Sequence, residues 1–166
     1  KLGYCCLKLK DFENALKYFE DAGNSLPDDL SIRAQIGQCH LNLGNYDKAL
    51  QHYSRVRYFQ PDNLKVLRPI AYCQFILGKP DHAAETYEEI LQKSDSPTPY
   101  DYMNFGHVLL SLGKREEALD IYSKCRATGF FTNEMFREAF GEDVEHLVKN
   151  GIKPEDIPLL LDFLLY

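Results

Sequence analysis

Small and aromatic residues recur at nearly fixed intervals over roughly residues 1–128. Three positions repeat: a small residue in a predicted first helix, an alanine in a predicted second helix, and an aromatic residue four positions after that alanine. The three sets, separated by steps of 34, 34 and 35 residues, are Gly3, Gly37, Ala71, Gly106; Ala15, Ala49, Ala83, Ala118; and Phe19, Tyr53, Tyr87, Tyr122. A period of this length predicts stacked helix pairs, each burying its apolar face against its neighbours.

Together with Pro27 and Pro61, which close the first two units, this pattern resembles the tetratricopeptide repeat. The resemblance implies an all-α fold of bacterial type, an α-solenoid of helix-turn-helix repeats. It divides the chain into a truncated repeat 1 (residues 1–29), repeat 2 (30–63), repeat 3 (64–97), repeat 4 (98–128) and a C-terminal helical cap (129–166). Repeat 1 lacks the start of its first helix and residue 1 is not Met, so we expect a piece of a longer protein.

Each recurring position has a physical reason. Small residues let two helix axes approach to about 8–10 Å, and the aromatic side chain fills the space between one repeat and the next, burying on the order of 150–250 Å². Gly44, Gly78 and Gly113 end the first helices, where a left-handed residue without Cβ avoids strain. Lys10 replaces that glycine in repeat 1, which predicts a less favourable turn there.

The family resemblance also implies a concave groove, lined by the first helices, that takes an extended peptide or a partner helix. Carried over position by position, the groove residues are Tyr4, Lys8, Gln38, Asn42, Lys65, Arg68, Tyr72, Phe75, Tyr100, Met103 and His107. The charged residues in this set are all basic, although the whole chain carries a net charge of −6. This bias favours an acidic or C-terminal peptide segment with a large apolar side chain. Solvated helix faces would produce the same bias.

Two relatives of this arrangement remain as alternatives. Carboxylate-clamp domains of co-chaperones resemble the pairing of Lys65 and Arg68 on one helix, but they use Asn where this chain has Tyr4 and Gln38. A bacterial secretion chaperone would bind a disordered segment in the same groove. The chain could instead be a regulatory domain of a larger enzyme or sensor.

Catalytic, metal and cofactor chemistry is not expected. Cys5, Cys39 and Cys73 share one repeat position that packs as a small apolar residue, and no C-x2-C pair suggests zinc or a disulfide framework. Of the five histidines only His107 falls on the predicted groove, and no nucleophile accompanies it. The sequence therefore predicts a non-catalytic interaction protein, without cofactor, in a reducing compartment such as the cytoplasm.

Charge and hydropathy exclude two further classes of partner. The acidic balance and scattered lysines do not provide the basic face that nucleic acid requires. No apolar run approaches the ~20 residues that a membrane span needs. Nucleic-acid and membrane binding are therefore not expected.

The repeat pattern ends after Gly129. Thr132 is predicted to cap a helix through Phe140, and two more helices follow over about 142–150 and 157–166. The last of these has an apolar stripe, suited to covering the final repeat, at Ile157, Leu160, Leu161 and Leu164. The alternative is a homodimer or docking surface, because Leu159, Phe163 and Leu165 are predicted on a second face.

Overall fold

A computed structural model describes residues 1–166 and contains eleven helices and no strands. The helices are α1 (Leu2–Lys8), α2 (Phe12–Ser25), α3 (Leu30–Asn42), α4 (Tyr46–Phe59), α5 (Leu64–Ile76), α6 (Pro80–Lys93), α7 (Pro99–Ser111), α8 (Arg115–Ala127), α9 (Asn133–Glu142), α10 (Val144–Lys149) and α11 (Asp156–Leu165). The predicted all-α fold of helix-turn-helix units is confirmed. The chain forms two compact units, unit 1 (Lys1–Cys73) and unit 2 (Gln74–Tyr166), and their boundary lies within α5.

In unit 1, helices that are neighbours in sequence pack against each other from α1 to α4. One apolar cluster joins the first two repeats and consists of Ala15, Phe19, Ile36 and Cys39. A second cluster joins repeat 2 to the following helix and consists of Ala49, Tyr53, Val56, Val66, Ile70 and Cys73. The aromatic side chain therefore lies between successive repeats, as the sequence predicts.

The same aromatic rings also lie against the small residue of their own repeat. An added Cβ would stand 3.0 Å from the Phe19 ring at Gly3 and 3.2 Å from the Tyr53 ring at Gly37. At Gly106 it would stand only 2.5 Å from Tyr122 Cε1. The small position thus makes room for an aromatic face as well as for a helix crossing.

The tight turns follow the expected glycine chemistry. Gly44, Gly78 and Gly113 have φ values of 72°, 72° and 74°, in the left-handed region. Lys10 adopts φ 57° at the equivalent place and is the one non-glycine residue with positive φ. A lysine in this conformation carries a Cβ penalty that glycine avoids, so the observed φ supports the prediction of a less favourable turn, whose cost stays a prediction.

In unit 2, α6 packs on α7 and α7 on α8. Ala83, Tyr87, Ala118 and Tyr122 are buried, as predicted. The start of α7 is sharply defined, because Thr98 accepts a hydrogen bond from the Asp101 backbone and the Asp101 carboxylate accepts one from the Thr98 backbone. This capping box fixes the beginning of the first helix of repeat 4.

The three C-terminal helices begin near their predicted positions. Thr132 accepts a hydrogen bond from Met135 N and caps α9, as predicted. On α11, Ile157 is buried while Leu159 and Phe163 are each 70% exposed. The prediction that Leu165 lies on the exposed face is wrong, since this side chain is buried. None of the helices combines the length and apolar character required to cross a bilayer.

Candidate functional site

In unit 1, the predicted groove positions lie on one face of each helix, three or four residues apart. Tyr4 and Lys8 are exposed on α1, and Asn42 is exposed one turn after Gln38 on α3. On α5, Lys65 is exposed, and Arg68 and Tyr72 follow it as partly buried residues. Unit 1 therefore presents basic, amide and aromatic side chains to solvent from three first helices.

Two of these side chains also contribute to packing. The Tyr4 ring meets Phe19 edge-on with centroids 5.1 Å apart, and Gln38 Oε1 accepts a hydrogen bond of 3.3 Å from Tyr53 Oη. Both core aromatics belong to the recurring set. The orientation of Tyr4 and Gln38 is thus fixed by the same residues that define the repeat.

In α5, Pro69 lies inside the helix, between Arg68 and Ile70. Proline has no N–H, so it cannot donate to the carbonyl of Lys65 four residues earlier. One backbone hydrogen bond of α5 is therefore missing beside the two basic residues. At the start of the helix, Asn63 Oδ1 accepts a 3.1 Å hydrogen bond from Lys65 N.

In unit 2, three of the four predicted groove residues are inaccessible. Phe75 and Met103 are each 1% exposed and His107 is fully buried, whereas Tyr100 is 49% exposed. The sequence predicts that His107 faces a ligand groove, whereas in the structure its side chain is buried. For His107 the physical reason is residues 130–152, here called the C-terminal segment, whose Phe140 ring lies 4.6 Å from the His107 ring. Phe75 in turn stacks on His107, with ring centroids 6.4 Å apart.

Ring contacts hold the first part of the C-terminal segment. The Phe140 ring meets His107 edge-on with centroids 4.6 Å apart, and it also lies 5.8 Å from the Tyr122 ring. The Tyr100 ring contacts Phe130 at 6.1 Å and Phe131 at 5.2 Å. Aromatic side chains of repeat 4 are thus matched by aromatic side chains of the segment.

Polar contacts hold the second part, at the C-terminal end of α5. Asn150 Nδ2 donates to the Phe75 carbonyl over 3.2 Å, and Lys149 Nζ donates to the Ile76 carbonyl over 3.4 Å. The last carbonyls of a helix have no partner within the helix and carry partial negative charge. A lysine and an amide donor are therefore chemically suited to this position.

Buried polar atoms beneath the segment are left without hydrogen bonds. His107 Nδ1 lies 3.4 Å from Asp143 Oδ2, but the contact does not have hydrogen-bond geometry, and His107 Nε2 and Tyr122 Oη also have no partner. Burial, the largest cause, raises the pKa of Tyr122 well above its usual range. The segment fits by shape and aromatic contact better than by polar complementarity.

The sequence predicts a C-terminal cap over the final repeat but not that this segment covers the groove position His107, although a signal for such burial exists. Phe130, Phe131, Phe136 and Phe140 follow one another closely once the repeat pattern has ended. Such a density of phenylalanine indicates burial against other aromatic residues. Arg126 adds a cation–π contact, with its guanidinium carbon 5.5 Å from the Phe136 centroid.

A separate cavity of about 480 Å³ lies in unit 1, lined by residues of α2, α3 and α4 including Arg33 and His52. Arg33 Nε and His52 Nδ1 are buried without hydrogen-bond partners. Burial lowers the pKa of His52 below its usual value, and the same cause lowers the pKa of the adjacent His40, whose ring centroid is 5.6 Å away. Glu20 and Asp29 also line the cavity, so its charge is mixed.

Three of the five cysteines are buried and poorly reactive. Burial raises the pKa of Cys39 to about 11, of Cys73 to about 12 and of Cys125 to about 11, which leaves these thiols protonated and poorly nucleophilic near neutral pH. Cys5 shares the repeat position of Cys39 but is exposed. Cys39 packs on Ala15 and Phe19 of the repeat before it. No group of three potential ligand residues could hold a metal ion.

Comparison with known families agrees with the repeat geometry. Two tetratricopeptide-repeat models match the chain, one over residues 7–68 and the other over residues 102–125. The buried alanines, the aromatic residues and the left-handed glycines described above fall at the positions that define such repeats. The chain belongs to the tetratricopeptide-repeat family.

Solved structures share the fold. MamA from Desulfovibrio magneticus RS-1 aligns with a TM-score of 0.74 at 16% identity, covering 90% of this chain and 89% of that one. A second MamA crystal structure gives 0.72 at 15% identity, with 90% and 92% covered. A tetratricopeptide repeat protein from Parabacteroides merdae gives 0.65 at 20% identity, covering 84% of this chain and 54% of that one. At these identities the likeness shows the fold alone. No curated protein sequence matches the chain.

Proposed function

We propose that the chain is a non-catalytic protein-interaction scaffold whose unit 1 binds an acidic or C-terminal segment of a partner protein. The observation that carries this proposal is the set of basic residues at the predicted binding positions of α1 and α5. Lys8 and Lys65 are exposed and Arg68 is partly buried, in a chain whose net charge is −6. Basic residues at the predicted binding positions of an acidic protein favour an anionic ligand.

The side chains around these charges suit a peptide. Arg68 has the planar guanidinium that pairs with a carboxylate through two parallel hydrogen bonds, and Lys65 adds a point charge one turn away. Tyr72 follows Arg68 by one turn and offers an aromatic contact for an apolar side chain. Gln38 and Asn42 carry amides that can hydrogen-bond a peptide backbone.

The proposal is tested by charge reversal. A fluorescent peptide library, varied in acidic content and in its C-terminal carboxylate, is titrated against the wild-type chain and the Lys65→Glu, Arg68→Glu variant. Hydrogen bonds to charged groups contribute about 1.5–3 kcal/mol each, so the variant should bind acidic peptides at least about tenfold more weakly. The matched control is Lys48→Glu, Arg55→Glu, which makes the same charge change at exposed positions of α4. Equal affinity in the wild type and the α5 variant would overturn the proposal.

We further propose a cytoplasmic location, supported by the five free cysteines, because free thiols are typical of a reducing compartment. Measuring the oxidation state of the thiols by alkylation in source cells tests this placement. Disulfide-linked chains in that measurement would contradict it.

A homodimer through α11 is a second proposal, supported by the exposure of Leu159 and Phe163. These side chains line an apolar cavity of about 280 Å³ together with Leu110, Leu119 and Leu160. Light scattering should give twice the chain mass for the wild type and a single chain mass for Leu159→Ser, Phe163→Ser. A monomeric wild type at high concentration would rule the dimer out.

A further inference from the structure

Unit 2 has its own occupied binding surface, distinct from the basic surface proposed for unit 1. The buried side chains Phe75, Met103 and His107 stand at positions that the family resemblance assigns to ligand contact. The C-terminal segment lies on His107 through an aromatic anchor at Phe140, and it contributes two donors that reach the carbonyls of Phe75 and Ile76. This arrangement has the composition of a peptide complex: a buried aromatic side chain and directed polar contacts.

Three observations distinguish the C-terminal segment from the repeats. Its helices α9 and α10 have 10 and 6 residues, shorter than the 13 of α7 and α8, and such short helices have little stability of their own. Glycines with positive φ, Gly129 and Gly151, stand at or beside its two ends. Finally, it leaves both ring nitrogens of His107 without hydrogen bonds.

We propose that the C-terminal segment is a displaceable internal ligand of unit 2, and that the surface beneath it binds a partner helix of matching chemistry. The partner carries an aromatic residue in the place of Phe140 and, one turn later, a side chain that hydrogen-bonds His107. Such a partner would form the hydrogen bonds to His107 that the segment does not form. This difference favours displacement of the segment by the partner.

Hydrogen exchange on the whole chain tests whether the segment opens by itself. In the wild type, amides of α9 and α10 should exchange at least tenfold faster than the central amides of α7 and α8, because the segment leaves before unit 2 unfolds. Asn150→Ala removes the bond to the Phe75 carbonyl and a second bond to the His146 carbonyl of α10. It should increase exchange in α9 and α10 by about tenfold, with α7 and α8 unchanged, and the increase in α9 reports opening because neither bond lies in α9. The control Glu145→Ala, at an exposed position of α10, should alter none of these rates.

Binding in trans tests whether the uncovered surface accepts a ligand. The probe is a labelled synthetic peptide of residues 130–152, titrated by fluorescence anisotropy. The peptide should bind Asn150→Ala more tightly than the wild type, because only the open form binds. The ratio of the two affinities should equal the ratio of the open populations measured by hydrogen exchange. A peptide with Phe140→Ala should not bind. The Lys65→Glu, Arg68→Glu variant should bind the probe as the wild type does, so this result is independent of the function proposed for unit 1.

Two results would contradict the proposal. If α9 and α10 exchange only together with α7 and α8, the segment is a permanent part of the fold and the proposal is wrong. If the segment opens but the peptide does not bind Asn150→Ala, the surface is not a ligand site and the proposal is also wrong. Lys149→Ala, which removes the contact with the Ile76 carbonyl, provides a second variant should Asn150→Ala fold poorly by circular dichroism.

Discussion

Replacing Gly106 by alanine is expected to destabilise unit 2, even though alanine is the better helix former. The new Cβ would lie 2.5 Å from Tyr122 Cε1 and 2.7 Å from Cδ1 and Cζ. Tyr122 is fully buried, and Phe136 and Phe140 lie 6.4 Å and 5.8 Å from its ring. The ring therefore cannot move aside without displacing α9.

The size of the effect follows from two opposing terms. Overpacking of a filled core costs about 1–3 kcal/mol, and a contact of 2.5 Å belongs to the upper half of that range. Replacing glycine by alanine within a helix returns about 1 kcal/mol. The net loss should be about 1–2 kcal/mol, which corresponds to a fall in Tm of roughly 2–8 °C for a chain of this length.

Thermal and urea unfolding followed by far-UV circular dichroism measures this loss, and Gly37→Ala is the matched control. Its Cβ would lie 3.2 Å from Tyr53, so a shift of a few tenths of an ångström suffices, and the helix-propensity gain should leave stability within about 0.5 kcal/mol of the wild type. Ala71 occupies the same position in repeat 3 and is buried. The reasoning fails if Gly106→Ala melts at or above the wild-type temperature, or if Gly37→Ala loses as much.

Substitutions at Lys10 and His52 should each change the stability of unit 1 in a defined direction. Lys10→Gly should stabilise unit 1 by about 1 kcal/mol in urea titrations, because φ 57° is strained for lysine, and Gly44→Lys should lose a similar amount. His52→Gln should weaken the pH dependence of stability between about pH 7.5 and about pH 5.5, whereas exposed His82→Gln should not. Burial lowers the pKa of folded His52; the stability from its neutral ring is therefore complete above the unfolded-state pKa and is lost as pH falls.

Each of these expectations has a contradicting result. An unchanged unfolding midpoint for Lys10→Gly would mean that the left-handed turn carries no cost in repeat 1. Equal pH profiles for the wild type and His52→Gln, measured by urea unfolding at each pH, would mean that burial of this imidazole does not contribute to acid sensitivity.

The repeats could be predicted from sequence because their determinants are local and periodic. Ala15 and Phe19 recur with a fixed spacing, and Gly44 has a conformation that few other residues adopt. The same logic located the exposed residues of unit 1, such as Lys65, because only the repeat itself surrounds them. Their binding role stays a prediction.

The accessibility of unit 2 could not be predicted in this way. Burial of His107 depends on the C-terminal segment, which has no periodic pattern. The segment returns to residues far away in sequence, as the contact between Asn150 and Phe75 illustrates. Likewise, Cys5 is exposed while Cys39 is buried, although both occupy the same repeat position. Repeat position determines which way a side chain points, and the neighbouring element determines whether it is covered.

The buried thiols give this protein built-in reporters of its own opening. Cys39 lies between the first two repeats, Cys73 lies in the cluster around Tyr53, and Cys125 donates a 3.2 Å hydrogen bond to the Pro99 carbonyl at the start of α7. A pulse of alkylating reagent during unfolding would therefore mark three different layers of the array at natural residues. The order in which the three sites become labelled would reveal which layer separates first, without any introduced probe.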